Sequence, residues 1–181
     1  MLFNYESQNL LYEILLPEDA PRILDFYYVN RDVFEPFEAD KPSNFYTLDY
    51  QTTLTRLEYE NFLRGKGARF WISRKRQPGI LIGCVCFNNI QKGSFQNCTI
   101  GYKIHKYHQG IGYATEAVSS LCAHIFRDGG LHRIEAYIHP DNLPSIALAE
   151  KCGFTYEGTA REYVYMRGNW VDHLRYILLA P

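Results

Sequence analysis

A helix-period stripe of apolar residues, entered through a glycine-bearing turn at the end of a strand, constrains this chain more than any other feature. Ala117, Val118, Leu121, Cys122, Ile125 and Phe126 recur at the spacing of one helix face. Gly129-Gly130 ends that helix, and Gln109-Gly110-Ile111-Gly112-Tyr113-Ala114 opens it. Directly upstream, Phe95 to His105 reads as a strand. A helix that begins at glycines just beyond a strand aims unpaired backbone N–H groups at the space past the strand end, which is an anion site. Lys103, His105, Lys106 and His108 would add positive charge. A pyrophosphate cradle and a solvated turn that needs glycine for its geometry are, on these residues alone, equally good readings.

Two other glycine-loop chemistries fail. A dinucleotide fingerprint needs a third glycine where Thr115 stands, and its strand should open an α/β unit rather than close a meander. A nucleotide-hydrolase loop needs Gly-Lys-Ser/Thr, which is missing.

The rest of the pattern builds one layered α/β domain over residues 1–181. Tyr12 to Leu16 reads as a first strand, and Pro17-Glu18-Asp19-Ala20 opens a helix to about Asn30. Phe34 to Ser43 is expected as a loop, and Leu48 to Leu63 as a second helix. Strands at Ala68 to Arg74, Ile80 to Asn88 and Phe95 to His105 form an antiparallel meander, with turns at Gln77-Pro78-Gly79 and Lys92-Gly93-Ser94. His132 to Ile138 alternates as a strand. Asn142 to Cys152 is a short helix with a capping Asn or Asp, Pro144 in its first turn and Gly153 behind it. Two strands, Thr155 to Tyr165 and Val171 to Leu179, close the chain.

Composition excludes several classes. The net charge of −1 gives no electrostatic case for a nucleic-acid or membrane partner. No apolar run reaches the roughly 18–20 residues of a membrane span, and Met1 to Gln8 has no signal-peptide pattern. The five scattered cysteines argue against a disulfide framework and carry no metal-ligand spacing. Cys84 and Cys86 lie two apart on one strand face, as buried reduced thiols would. A reducing cytosol and no bound metal are the expectation.

The motifs then converge. Gln109-x-x-Gly112-x-Ala114 resembles the Q/R-x-x-G-x-G/A signature of the GCN5-related N-acetyltransferase (GNAT) superfamily. Asn142-x-x-Ser145, Glu150-Lys151-Cys152-Gly153-Phe154 and Glu157-Gly158 resemble its second signature, in the form of the bacterial branch that acetylates ribosomal-protein N-termini. The resemblance implies a GNAT-type α/β (α+β) domain with a mixed, mostly antiparallel seven-stranded sheet and about four helices. It implies acetyl-CoA as co-substrate and an amine as acceptor, a ribosomal-protein N-terminus among the choices, with a monomer or a homodimer both compatible. Carried over by position, the pantetheine arm would pair with the backbone of Tyr102, Lys103 and Ile104, splayed from the next strand by a bulge. The pyrophosphate would sit on Gln109, Gly110, Ile111, Gly112, Tyr113 and Ala114. Asn142 would contact the coenzyme or only cap its helix. Ser145 would donate a proton near the thioester sulfur or only satisfy a backbone N–H.

Two departures bear on mechanism. Many members carry a tyrosine seven residues after the Asn, where this chain has Ala149, and a glutamate where it has Thr99. Direct attack of a neutral amine needs positioning first, worth roughly 7–11 kcal/mol, and a stabilised oxyanion. A base is needed only to neutralise the amine. An α-amine with a pKa of about 7.7–8.0 is substantially neutral near physiological pH, whereas a lysine at about 10.4 is neutral in only about one molecule in a thousand. A missing base therefore favours an α-amino acceptor. On the acceptor side, Phe34, Glu35 and Phe37 on an acidic-aromatic loop suit a cationic group, and Tyr163 of the last hairpin would line the same cleft. A small-amine acetyltransferase and a coenzyme-binding sensor with little turnover stay open as alternatives.

Overall fold

The computed structural model describes residues 1–181, and one eight-stranded sheet organises all of them. Its strands are β1 (Asn4–Glu6), β2 (Leu10–Ile14), β3 (Ala68–Arg74), β4 (Gln77–Gln91), β5 (Asn97–Ile104), β6 (Arg133–Ile138), β7 (Thr155–Met166) and β8 (Asn169–Leu179). They lie in the order β1-β2-β3-β4-β5-β6-β8-β7. Only β5 and β6 run parallel, because the helix between them must cross over the sheet. The helices are α1 (Ala20–Phe34), α2 (Leu48–Leu63), α3 (Tyr113–Gly129) and α4 (Leu143–Lys151). None is long and apolar enough to cross a membrane.

Strand alternation splits the core in two. Phe70 and Ile72 of β3 join the cluster built on Ala117, Val118, Leu121, Cys122 and Ile125 of α3 and Ala149 of α4. Trp71 faces the other way, into a cluster with Ile23, Phe26, Tyr27 and Phe34 of α1 and Cys84 of β4. The apolar stripe of α3 is thus the face that the sheet covers: five of its six residues are buried, and Phe126 is partly buried against the same core. Cys84 and Cys86 are buried, and all five cysteines are free thiols.

The fold departs from the sequence expectation in four places. It has eight strands rather than seven, because β1 pairs with β2; three residues are too short to show a period. The turn before β4 is Lys75-Arg76, and Pro78-Gly79 instead lies on an irregularity where Ser73 pairs with Leu81 and Arg74 with Gln77. Gly79 takes φ +83°, as a strand glycine at a bulge can. The strand expected from Phe95 starts at Asn97, after Gln96 at φ +45°. Helix α1 runs on to Phe34, so that residue is a buried helix end rather than part of a loop.

Candidate active site

The site grows from the place where two parallel strands part. Pairing of β5 with β6 runs from Asn97↔Arg133 to Ile100↔Ala136 and stops, although both strands continue. Pairing of β5 with β4 is unbroken from Asn88↔Thr99 to Gly83↔Ile104. The splay is therefore a divergence of β5 from β6; the irregularity against β4 lies between Asn88 and Gln91, away from the cleft. Neighbouring residues of a strand turn their N–H and C=O groups to opposite sides. The N–H of His105 donates to Ile82 of β4, and the carbonyl of Lys103 abuts Gly83, where an added Cβ would sit 2.5 Å from it. The backbone groups of Tyr102 and Ile104 therefore face the missing partner.

The divergence opens a cleft of about 820 Å³. Its walls are β5 from Ile100 to Ile104, β6 from Ala136 to Ile138 with His139 just beyond it, the first turns of α3 and one face of α4. At one end, Gly110 and Gly112 take φ +74° and +94°, and a Cβ on either would meet nothing within 4 Å. Gly112 is the N-cap of α3, and the first amide to bond back into the helix is that of Glu116. The N–H groups of Tyr113, Ala114 and Thr115 are left without a backbone partner, as at any uncapped helix start. Gln109, Gly110, Gly112 and Ala114 line the cleft; Ile111 is 62% exposed beside it. The Gln109 amide donates to the carbonyl of Ile104 at 3.0 Å, fastening the turn to the strand end.

This cradle is a backbone cradle. Lys103, one residue out of phase with Tyr102, turns to the α1 face, where its ammonium meets Glu38 at 2.5 Å. Lys106 pairs with Asp32 at 3.1 Å. Burial lowers the pKa of both His105 and His108, which favours their neutral forms. Of the four basic side chains expected to add charge at the turn, the two lysines are spent in ion pairs and the two histidines are biased toward neutrality. Lys151, at the end of α4, lines the cleft and forms no ion pair. Its place in the motif was legible, but its direction was not.

Ser145 sits in the first turn of α4 with its backbone N–H accepted by the Asn142 side chain at 3.2 Å. Asn142 is therefore the helix cap, and it also lines the cleft. The Ser145 hydroxyl donates to the phenol oxygen of Tyr102 at 2.9 Å, and that phenol donates to the carbonyl of Ser145 at 3.0 Å. Burial pushes the Tyr102 phenol up to about 12 against the opposing pull of its Ser145 bond. Ala149 is 1% exposed in the main core.

Of the residues expected to meet an acceptor, Phe34 and Phe37 line the cleft, and Phe37 packs against His139 at 5.9 Å between ring centroids. Glu35 does not line it. Its carboxylate accepts from Tyr46 at 2.5 Å beside an adjoining polar hollow of about 580 Å³. Tyr163 stands behind the wall, stacked on Tyr137 at 4.2 Å and 13°. The cleft holds two carboxylates, and both are tied to ammonium groups. Asp32 is held below the usual carboxylate range by its bond from Lys106. Burial alone would raise the Glu38 carboxyl, but Lys103 and Lys41 outweigh it and bring it below its ordinary value. Thr99 bonds the carbonyl of Asn88 and supplies no base.

The family described as "Acetyltransferase (GNAT) domain" matches residues 10–155. The chain is 36% identical over 163 residues to a probable N-acetyltransferase, YjcK, of Bacillus subtilis, covering 90% of each chain. It is 31% identical over 177 residues to the [ribosomal protein uS5]-alanine N-acetyltransferase of Escherichia coli, covering 97% of this chain and 90% of that one. The structure of Mycobacterium smegmatis RimJ in complex with a CoA-disulfide superposes with a TM-score of 0.88 at 25% identity, covering 94% of this chain and 82% of the other. With unbonded amides at a glycine turn, a strand edge left open beside it and these relatives, the chain belongs to the GNAT family of acetyltransferases, which take their acetyl group from acetyl-coenzyme A.

Proposed function

We propose that this acetyltransferase modifies the N-terminal α-amine of a protein or peptide, of the ribosomal-protein type. One observation carries the reading: both carboxylates of the cleft, Asp32 and Glu38, are locked to lysines and have lowered pKa values. Neither is suited to strip a proton from a lysine side chain at about 10.4, whereas an α-amine at about 7.7–8.0 delivers its own neutral fraction. The relative from E. coli, named for alanine of a ribosomal protein, supports the same acceptor.

The residues divide the work. Acetyl-coenzyme A supplies an activated thioester. The free amides of Tyr113 to Thr115 and the open turn at Gly110 and Gly112 suit its phosphates, since nothing crowds the positions where side chains would stand. The backbone of Tyr102 and Ile104 offers the missing strand partner to an amide-bearing arm. Ser145 stands at the opposite wall with a hydroxyl for the departing sulfur, and Asn142 fixes its backbone. Phe34, Phe37 and Tyr137 border the side from which an amine would enter.

The test is a competition. One peptide with a free N-terminal Ala or Ser and an internal Lys is offered beside spermidine and an aminoglycoside, at pH 7 and pH 9, and the acetyl group is mapped by fragmentation. Modification of the first residue at both pH values is expected. Label on the lysine, or chiefly on a small amine at pH 7, would overturn the reading.

A further inference from the structure

We infer that the phenol of Tyr102 is a positioning residue for acetyl transfer, moving its hydrogen bond from the Ser145 carbonyl to the Ser145 hydroxyl as that hydroxyl turns to the departing sulfur. The inference rests on the reading of Ser145 as the group that meets the sulfur.

The two residues are 43 apart in sequence and stand on opposite walls of the cleft, Tyr102 on β5 and Ser145 on α4. They share two hydrogen bonds of opposite sense: the hydroxyl donates to the phenol at 2.9 Å, and the phenol donates to the carbonyl at 3.0 Å. A phenol has one proton to give and can still accept. In this arrangement the Ser145 proton is committed to Tyr102 and is not offered to the cleft. The carbonyl that receives the phenol's proton belongs to a helix residue, and such a carbonyl has an amide four residues on as its ordinary partner. The phenol's bond to it is an extra one, cheap to withdraw.

When the Ser145 proton rotates toward sulfur, its oxygen keeps a lone pair within reach of the phenol. Tyr102 can then turn its own proton onto that oxygen. No proton changes owner and no covalent bond is made or broken; two hydroxyls rotate together. A hydroxyl that accepts a hydrogen bond becomes a stronger donor in turn, so the serine is better matched to the negative charge gathering on sulfur. Burial keeps Tyr102 protonated through the working pH range, so the donor is always present. Ala149, further along α4, is buried in the core, and the phenol that reaches the first turn of α4 comes from the facing strand instead.

The experiment is a double-mutant cycle on the full chain with acetyl-CoA and an N-terminal peptide acceptor. Ser145→Ala, Tyr102→Phe and the double variant are compared by kcat, by KM for acetyl-CoA and by the midpoint of urea unfolding. Tyr102→Phe should lower kcat about tenfold, the size set by losing one hydrogen bond that matters in the transition state. KM for acetyl-CoA should stay within about twofold. The double variant should be no slower than Ser145→Ala alone, since the phenol acts only through the serine. A wild-type kcat in Ser145→Ala removes the reading of Ser145 and this inference with it. A lowered kcat in Ser145→Ala beside a wild-type kcat in Tyr102→Phe overturns the inference alone. A fall in kcat that travels with KM and the unfolding midpoint would make Tyr102 a packing residue and also overturn it. Should the Phe variant fold poorly, 3-fluorotyrosine at position 102 keeps the shape with a stronger donor. Its kcat should equal or exceed wild type at pH 7, and a lower kcat would count against the switch.

Discussion

Glu38 and Lys103 meet at 2.5 Å across the sheet face, tying the segment after α1 to the strand that walls the cleft. Lys41 closes on the other oxygen of Glu38 at 2.8 Å, and the turn between β7 and β8 joins the same segment through Arg167, whose N–H donates to Asp40 and whose guanidinium donates to the carbonyl of Glu35. The segment after α1 is thus anchored to both β5 and the last hairpin.

Removing Glu38 leaves two ammonium groups without their carboxylate. Glu38→Gln should destabilise the protein by about 3 kcal/mol at pH 7, measured by urea unfolding. The sign of the pH dependence follows from the lowered folded pKa of Glu38. Its contribution is fully present above the unfolded value of about 4.3 and is lost as pH falls through the folded value. The gap between wild type and Glu38→Gln should therefore narrow on titration toward pH 3. A gap that widens in acid would contradict the pairing.

Gly112→Asp tests the cradle. The left-handed φ of +94° costs a non-glycine residue about 1–2 kcal/mol, while an Asp at an N-cap returns some of that, so the variant should fold. Its carboxylate would stand where phosphate must approach. Calorimetry should show acetyl-CoA affinity reduced at least about 100-fold, some 2.7 kcal/mol. Unchanged affinity would place the coenzyme elsewhere.

A tyrosine at position 149 should harm the protein. Ala149 is 1% exposed in the main core, so Ala149→Tyr must push neighbours aside, at a cost of about 3 kcal/mol or more. Urea unfolding measures the loss, and kcat of the surviving folded fraction should not exceed wild type. A stable and faster variant would show that helix α4 can present a phenol to the cleft after all.

The pH profile should report the acceptor rather than an enzyme carboxylate. With Asp32 and Glu38 both held ionised by lysines, kcat/KM for a peptide should rise to a plateau near the α-amine value of about 8. Replacing the N-terminal residue by one with a less basic α-amine should move the midpoint down with it. A midpoint that ignores the acceptor would mean that a protein group takes the proton.

Much of this molecule was legible in the chain. The stripe from Ala117 to Phe126, the glycines at 110 and 112 and the Asn142 cap are local: backbone periodicity, positive φ and a capping side chain act within one element. Helix α2 runs from Leu48 to Leu63 as its pattern dictates. What failed was non-local. The three residues of β1 gain their strand from β2, and no period of their own could announce it. Lys103 and Tyr102 were legible as neighbours on a strand, but only packing decided that one lysine would be consumed by Glu38 while the phenol met Ser145. Charge near a glycine turn in sequence became charge spent elsewhere, because salt bridges form between side chains that the sheet and helices bring together. The local chain determined where the glycine turn leaves backbone amides unbonded; the tertiary structure alone decided which side chains are left free beside them.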